Sequence, residues 1–114
     1  MLPAELEDLA RDGSEDLVCE VLTIFQSDSA SRLEALRRAV INGDAHAVRT
    51  GAHALKGSAG QVGADTMADI CRRMEESCLS GDATQWLALL EQVQVQFGEV
   101  CQAMSGFLEL PHGR

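Results

Sequence analysis

Apolar residues in this chain recur at alternating steps of four and three, a spacing that places side chains on one face of an α-helix. Four stretches show this spacing, and the first three end at glycines that can close a helix, Gly43, Gly63 and Gly81. Asp44 and Asp82 follow two of these glycines and can cap the next helix. The four stripes are Val18, Leu22, Phe25, Ser29, Leu33, Leu36 and Val40; Val48, Ala52, Leu55, Ala59 and Val62; Met67, Cys71, Met74 and Cys78; and Trp86, Leu90, Val93, Phe97, Val100, Met104 and Phe107. Four amphipathic helices with very short loops predict an all-α fold, an antiparallel up-down four-helix bundle.

The two ends of the chain add a short helix and a tail to this bundle. A short apolar stripe lies near the N-terminus, at Leu2, Leu6 and Leu9. Pro3 suits a first helical turn and Gly13 can stop the helix, so we predict a short N-terminal cap helix. Pro111 ends the last helix. Because 114 residues are enough for one core but not for two, we assign residues 1–110 to a single bundle domain and residues 111–114 to a C-terminal tail.

The charge and hydropathy of the chain argue against several classes of partner. A formal net charge of −9 makes nucleic acid an unsuitable partner, because phosphate binding needs a basic surface. The sequence contains no run of about 18 apolar residues and no signal-peptide pattern. We therefore expect a cytoplasmic protein without direct membrane contact. We also expect a monomer, because all four stripes are used inside one bundle.

Four cysteines are spread through the helical stretches, at Cys19, Cys71, Cys78 and Cys101. None of them belongs to a Cys-x-x-Cys pair, so the ligand spacing of a zinc site is missing. We expect thiols that pack as small, buried apolar residues. The sequence also lacks a glycine-rich nucleotide loop that follows a strand, so we expect neither a bound metal nor bound ATP.

The second stripe leaves an unusual set of residues on the outer side of its helix. At about 100° per residue, His53 lies about 140° from Val48 and so points away from the core. The same outward sector carries two cations and two glycines, Arg49, Lys56, Gly57 and Gly60. An exposed imidazole is therefore flanked by positive charge and by positions without a side chain.

The two outward glycines need an explanation, because a glycine inside a helix costs about 1 kcal/mol relative to alanine. One interpretation is clearance: without side chains at Gly57 and Gly60, another molecule can bring its reacting atom close to the His53 ring. The other interpretation is that His53 is an ordinary solvent-facing residue and that the glycines contact a neighbouring helix or have no function. The pattern alone leaves both open.

This stretch resembles a known motif. From His53 the chain reads His-Ala-Leu-Lys-Gly-Ser-Ala-Gly and then, from Val62, Val-Gly-Ala. It is similar to the His-x-Leu-Lys-Gly-Ser motif of histidine-containing phosphotransfer (HPt) domains, the intermediate carriers of bacterial phosphorelays. Further segments resemble the same family, namely Phe25-Gln26-Ser27-Asp28, Asn42-Gly43-Asp44 and Cys71-Arg72-Arg73-Met74-Glu75. The resemblance extends over essentially the whole chain.

The resemblance implies a carrier and not an enzyme with turnover of its own. His53 would accept a phosphoryl group from the aspartyl phosphate of a receiver domain and pass it to another receiver. The Mg²⁺ would belong to that partner, and Arg49, Gly57 and Gly60 would face it. A neutral imidazole is itself a nucleophile near pH 7, and Lys56 can offset charge on the transferring group.

Glu75 is the candidate for holding the His53 ring. HPt domains often carry a glutamine at the corresponding position, so the resemblance suggests that Glu75 accepts from Nδ1 and leaves Nε2 to attack phosphorus. A carboxylate there would orient the ring but would also favour its charged form and repel the incoming phosphoryl group. A solvated helix charge is the other interpretation of Glu75.

Two other classes of function remain open. One is a helical docking module that binds a receiver or an unrelated regulatory partner without phosphotransfer. The other is a metal or haem carrier that uses His46 and His53, which needs inward-facing Glu-x-x-His pairs that the sequence does not contain. The sequence leaves open which receivers are partners, the direction of phosphate flow, and whether this is a free-standing shuttle or a module of a hybrid sensor kinase.

Overall fold

The structure is a computed structural model that describes residues 15–108. Within that range the chain forms four α-helices: α1 (Glu15–Asn42), α2 (Ala45–Gln61), α3 (Asp65–Ser80) and α4 (Trp86–Leu108), with a 3₁₀ turn at Ala83–Gln85 before α4. Helices that follow one another in sequence pack together, and α4 also packs against α1, which closes the bundle. The predicted four-helix bundle is confirmed. The predicted cap helix, the domain boundary after residue 110 and the tail lie outside the described residues.

The predicted core stripes are confirmed at most positions. All of their residues are buried except Leu33, Cys78, Phe97 and Phe107, which are half-buried and pack against the rim of the core. The stripes are also too narrow, since they omit the buried residues Ala39, Ile70 and Leu89. A helix in a bundle buries a face about 100° wide, which a single line of residues cannot represent.

The prediction for the cysteines is wrong in part. Cys71 is buried, whereas Cys19, Cys78 and Cys101 are only half-buried, and all four are free thiols. Cys19 and Cys101 each follow a buried valine directly, so they lie about 100° from the centre of the core face. Their position in a helical stretch was therefore not enough to place them in the core.

Three helices end with the same hydrogen-bonded turn. Gly43, Gly63 and Gly81 have φ angles of 66°, 72° and 78°, in the left-handed region that favours glycine. At the first of them the Gly43 N–H donates to the carbonyl of Val40, and the next N–H donates to the carbonyl of Ala39. The same pair of bonds follows α2 and α3. These turns satisfy carbonyls at the helix ends and make each connection very short, so consecutive helices run antiparallel.

The two predicted aspartate caps are both present, but they cap different elements. The side chain of Asp44 accepts from the N–H of Ala47 at 3.2 Å and caps α2. Asp82 accepts from the N–H of Thr84 at 3.0 Å and so caps the 3₁₀ turn, which then leads into α4 at Trp86. The sequence did not predict this extra turn.

Two serines are buried in the bundle, and they differ in hydrogen bonding. Ser77 on α3 donates from its hydroxyl to the carbonyl of Met74 at 2.7 Å and accepts from the indole N–H of Trp86 at 3.0 Å, which ties α3 to α4. Ser29 is fully buried in the core stripe of α1, and its hydroxyl has no hydrogen-bond partner among the described residues. A buried hydroxyl without a partner destabilises the fold, whereas a paired one does not.

We predict that the two serine-to-alanine variants change stability in opposite directions. Ser29→Ala removes an unpaired polar group and should raise the free energy of unfolding by about 1 kcal/mol. Ser77→Ala leaves the buried indole N–H of Trp86 without its acceptor and should lower it by about 1–2 kcal/mol. Urea denaturation followed by Trp86 fluorescence and by circular dichroism measures both. Equal changes of the same sign would contradict the assignment.

Candidate functional site

The candidate site lies on the outer face of α2, and the packing of that helix presents it. Val48, Ala52, Leu55 and Ala59 on the opposite face are all 0% exposed. Their burial fixes the rotation of α2 about its axis. As a result His53 points outward, with 67% of its side chain exposed. The outward orientation predicted from the helical spacing is confirmed.

The ring of His53 is held from the neighbouring helix. Its Nδ1 lies 2.8 Å from Oε2 of Glu75 on α3, and the Glu75 side chain is only 17% exposed. The hydrogen bond from Lys56 lowers the pKa of Glu75, burial opposes this, and the bond with His53 lowers it further, so the carboxylate is ionised near pH 7. An ionised carboxylate only accepts, so in the neutral ring Nδ1 is the nitrogen that carries the proton and Nε2 is the one with the lone pair.

Lys56 makes a contact that the sequence did not predict. The sequence placed it on the outward sector beside His53, and the structure adds a partner that was not predicted: its Nζ lies 2.8 Å from Oε1 of Glu75, and its side chain is 34% exposed. The spacing along α2 cannot show this pairing, because the partner lies on α3. The ion pair also answers the objection that a carboxylate would repel a phosphoryl group, since the Lys56 charge offsets that of Glu75.

The two outward glycines are not explained by packing within the chain. A Cβ added at Gly57 or at Gly60 would meet nothing within 4 Å. Gly51, on the same helix, is different: a Cβ there would lie 3.3 Å from Cδ1 of Leu36, so this glycine lets α1 approach α2 closely. Contact with a neighbouring helix therefore accounts for Gly51 and not for Gly57 or Gly60, and the surface beside His53 is bare.

Arg49 lies one turn before His53 on α2 and is exposed. It makes no hydrogen bond or ion pair with another of residues 15–108, unlike Lys56. The thiol of Cys71, buried beneath the site, has a pKa raised to about 12, first by burial and then by the charge of Glu75. It is thus a packing group and not a second nucleophile.

The structure also bears on the classes that use a metal or a membrane. His46 and His53 are both exposed, so neither points into the bundle where a haem or metal ligand would lie. In residues 15–108 no His, Cys, Asp and Glu side chains cluster in a way that could hold a metal ion. None of the helices in this range is both long enough and apolar enough to span a membrane.

Comparison with known proteins gives the family. Residues 20–106 match the model of the family described as Hpt domain. Histidine-containing phosphotransfer protein 2 of Arabidopsis thaliana is 33% identical over 96 residues, which make up 82% of this chain and 62% of that protein. Pseudo histidine-containing phosphotransfer protein 1 of Oryza sativa subsp. japonica is 26% identical over 108 residues, 93% of this chain and 58% of that protein. The chain thus spans about 60% of the length of these relatives.

A solved structure agrees with the sequence comparisons. The crystal structure of histidine-containing phosphotransfer protein B (HptB) from Pseudomonas aeruginosa PAO1 superimposes with a TM-score of 0.85 at 31% identity, over 96% of each chain. The helical bundle, the exposed histidine and the sequence matches therefore point to the same family. The chain belongs to the histidine-containing phosphotransfer (HPt) family.

Proposed function

We propose that this protein is a phosphorelay carrier that accepts a phosphoryl group on Nε2 of His53 from an aspartyl phosphate and passes it to another receiver domain. The observation that carries the proposal is the exposed imidazole whose Nδ1 is held by the mostly buried carboxylate of Glu75. This arrangement leaves one ring nitrogen with a lone pair, facing away from α3 and toward an incoming molecule.

The chemical step needs no group beyond the ring and the donor. The lone pair of Nε2 attacks phosphorus, an N–P bond forms, the P–O bond of the aspartyl phosphate breaks, and the aspartate leaves as a carboxylate with the electron pair. The phosphorylated ring keeps the Nδ1 proton and therefore carries a positive charge, which the Glu75 carboxylate offsets at 2.8 Å. Attack by a second aspartate on the same phosphorus reverses the step. The protein is restored without net turnover, as befits a carrier.

Lys56 has donors left for the transferring group. An ammonium group has three N–H donors, and one of them serves Oε1 of Glu75. The remaining donors are available to a phosphoryl oxygen, because Lys56 lies three positions after His53 on the same face of α2. Lys56 would then hold the carboxylate that positions the ring and also stabilise charge on the phosphoryl group.

The partners follow from this chemistry. Receiver domains carry the aspartyl phosphate and the Mg²⁺, so this chain needs no cofactor of its own. The bare surface at Gly57 and Gly60 gives such a partner room to bring phosphorus to the ring. With the core stripes of α1 to α4 used within one chain, we further propose that the protein acts as a monomer in the cytoplasm, without contact to membrane or nucleic acid.

We predict that His53→Gln abolishes phosphorylation and leaves the fold intact, because the side chain is largely exposed. A receiver domain charged with acetyl phosphate supplies the phosphoryl group, and ³¹P NMR detects a phosphoramidate that is stable to base and labile to acid. His46→Gln is the matched control, since His46 is exposed on the same helix. Circular dichroism should show the same helicity in all three proteins.

Two results would contradict this assignment. Labelling of His53→Gln at the level of the wild type would show that a residue other than His53 is phosphorylated. No phosphoramidate on the wild type, with receivers that nevertheless bind it, would favour a docking module without phosphotransfer, and His53→Gln would then leave binding unchanged.

We predict that a small and a large side chain at Gly57 have different effects, the first on the free energy of unfolding and the second on the rate of phosphoryl transfer. Gly57→Ala should raise the free energy of unfolding by about 1 kcal/mol, because the helix gains a better helix former and the added Cβ meets no atom. Gly57→Leu should slow transfer by about tenfold or more, because the side chain keeps the partner from the ring. Gly98 on α4 also has open space around it, so Gly98→Ala and Gly98→Leu are the matched controls and should not affect transfer.

Stopped-flow transfer from the charged receiver and urea denaturation measure the two quantities. Equal transfer rates in Gly57→Leu and the wild type would refute the clearance interpretation.

We predict that Lys56→Met raises the pKa of Glu75 back toward its usual value of 4.5, because the hydrogen bond from Lys56 is the largest cause that lowers it. The pKa of Glu75 is lower in the folded protein than in the unfolded chain. The ion pair therefore stabilises the fold at pH values above the unfolded-state pKa of Glu75, and this stabilisation is lost as the pH falls through its folded-state pKa. NMR titration of the Glu side-chain carboxyl carbons measures the shift. The pKa of Glu34, lowered mainly by Arg37, is the internal control and should stay the same. An unchanged Glu75 titration would contradict the ion pair.

A further inference from the structure

The cations of residues 15–108 are paired with carboxylates, with one exception. The ion pairs are Arg32 with Asp28, Arg37 and Arg38 with Glu34, Lys56 with Glu75, Arg72 with Asp69 and Glu76, and Arg73 with Asp69. Arg49 alone among these cations has no carboxylate within ion-pair distance in this range. In a chain with a formal charge of −9, an arginine that forms no ion pair within residues 15–108 needs an explanation.

The position of Arg49 places its charge on the face that presents His53. The two residues are four apart on α2, so they lie one above the other, about 6 Å apart along the helix axis. Arg49 also borders α3: burial raises the pKa of the Cys78 thiol, and the nearby Arg49 charge opposes that rise. Lys56 is offset by Glu75. Arg49 is therefore the uncompensated positive charge of the site.

We propose that Arg49 is the docking residue for a carboxylate of the phosphodonor partner, at the rim of the partner's aspartyl phosphate. This inference rests on the proposed function, because a partner that carries an aspartyl phosphate presents an anionic reacting surface. The guanidinium fork of arginine matches a carboxylate through two parallel hydrogen bonds. Arg49 thus binds the partner, whereas Lys56 and Glu75 serve the ring.

The direction of helical side chains explains why Arg49 contacts the partner and not the phosphoryl group. Side chains on an α-helix lean toward its N-terminus. Lys56 therefore leans back toward His53, while Arg49 leans away from it, toward the first turns of α2. A partner that places phosphorus on Nε2 must lie across these turns. Arg49 contributes to encounter and docking, and these depend on ionic strength.

The test compares Arg49→Gln with Arg38→Gln. Arg38 lies on the outward face of α1 with 70% of its side chain exposed, and each substitution makes the net charge one unit more negative. A receiver domain charged with acetyl phosphate is the donor, and initial rates of transfer to this protein give KM and kcat. We expect Arg49→Gln to raise KM about fivefold at low salt with kcat unchanged, and the difference to shrink at about 0.3 M salt. Arg38→Gln should match the wild type. Arg49→Lys should recover only part of the loss, because an ammonium group keeps the charge but cannot form the two parallel hydrogen bonds.

Three results would overturn the inference. Equal changes in KM for Arg49→Gln and Arg38→Gln would show that net charge, and not a contact of Arg49, determines KM. A lower kcat and an altered lifetime of the phosphohistidine, with KM unchanged, would place Arg49 on the phosphoryl group. A rise in KM that does not depend on salt would indicate a packing contact.

If the proposed function is wrong, the same experiment shows no phosphoryl transfer to the wild type. In that case titration calorimetry of the charged receiver against the wild type and Arg49→Gln still tests the docking contact. Weaker binding by Arg49→Gln at low salt supports it, and equal binding overturns it.

Discussion

The burial of one face of α2 is the constraint on which the rest of the site depends. Val48, Ala52, Leu55 and Ala59 are packed so completely that the helix cannot rotate without exposing them. A fully buried valine or leucine side chain contributes about 1.5–3 kcal/mol through removal from water, so a rotation that exposes Val48 and Leu55 is strongly opposed. The exposed position of His53 is therefore a consequence of core packing and needs no contact of its own. This separation lets the reactive face vary in composition without disturbing the fold.

A second constraint acts across the two helices of the site. One carboxylate, that of Glu75, accepts from His53 with one oxygen and from Lys56 with the other. Each bond makes the other more favourable: the ammonium keeps the carboxylate ionised, and the ionised carboxylate keeps the proton on Nδ1. A glutamine at this position could accept from the ring but could not offset the positive charge that the ring gains with a phosphoryl group. In the proposed transfer the carboxylate would combine orientation with electrostatic stabilisation, and Lys56 would balance its charge in the resting state.

The sequence predicted the parts of this arrangement that depend on local periodicity. The steps of four and three along α2 placed His53 outward, and Gly43, Gly63 and Gly81 marked helix ends because only a glycine adopts their φ angles without strain. The resemblance of the motif pointed to Glu75 as the partner of the ring, and the structure brings the two within hydrogen-bond distance. These features lie within one helix or in a recognisable motif.

The features that sequence reasoning missed all depend on a second helix. The ion pair of Lys56 joins residues 19 positions apart and requires the register between α2 and α3, which no spacing within either helix specifies. The same applies to Arg49: its lack of a carboxylate becomes informative only when the pairing of the other cations is known. The helical spacing placed Gly57 outward, but only the structure shows that Leu36 approaches Gly51 whereas no atom lies near a Cβ added at Gly57.

The two glycines that leave the surface beside His53 bare lower the stability of α2. Gly57 and Gly60 together destabilise α2 by about 2 kcal/mol relative to alanine, which is a substantial part of the stability of a small domain. The buried stripe on the opposite face of the same helix offsets this loss, and so do the hydrogen-bonded turn after it and the Asp44 cap before it. A helix so firmly held by tertiary packing can tolerate weak intrinsic propensity where its outer surface must stay open. The stability of the bundle thus supports a helix whose outward face, beside His53, carries two glycines.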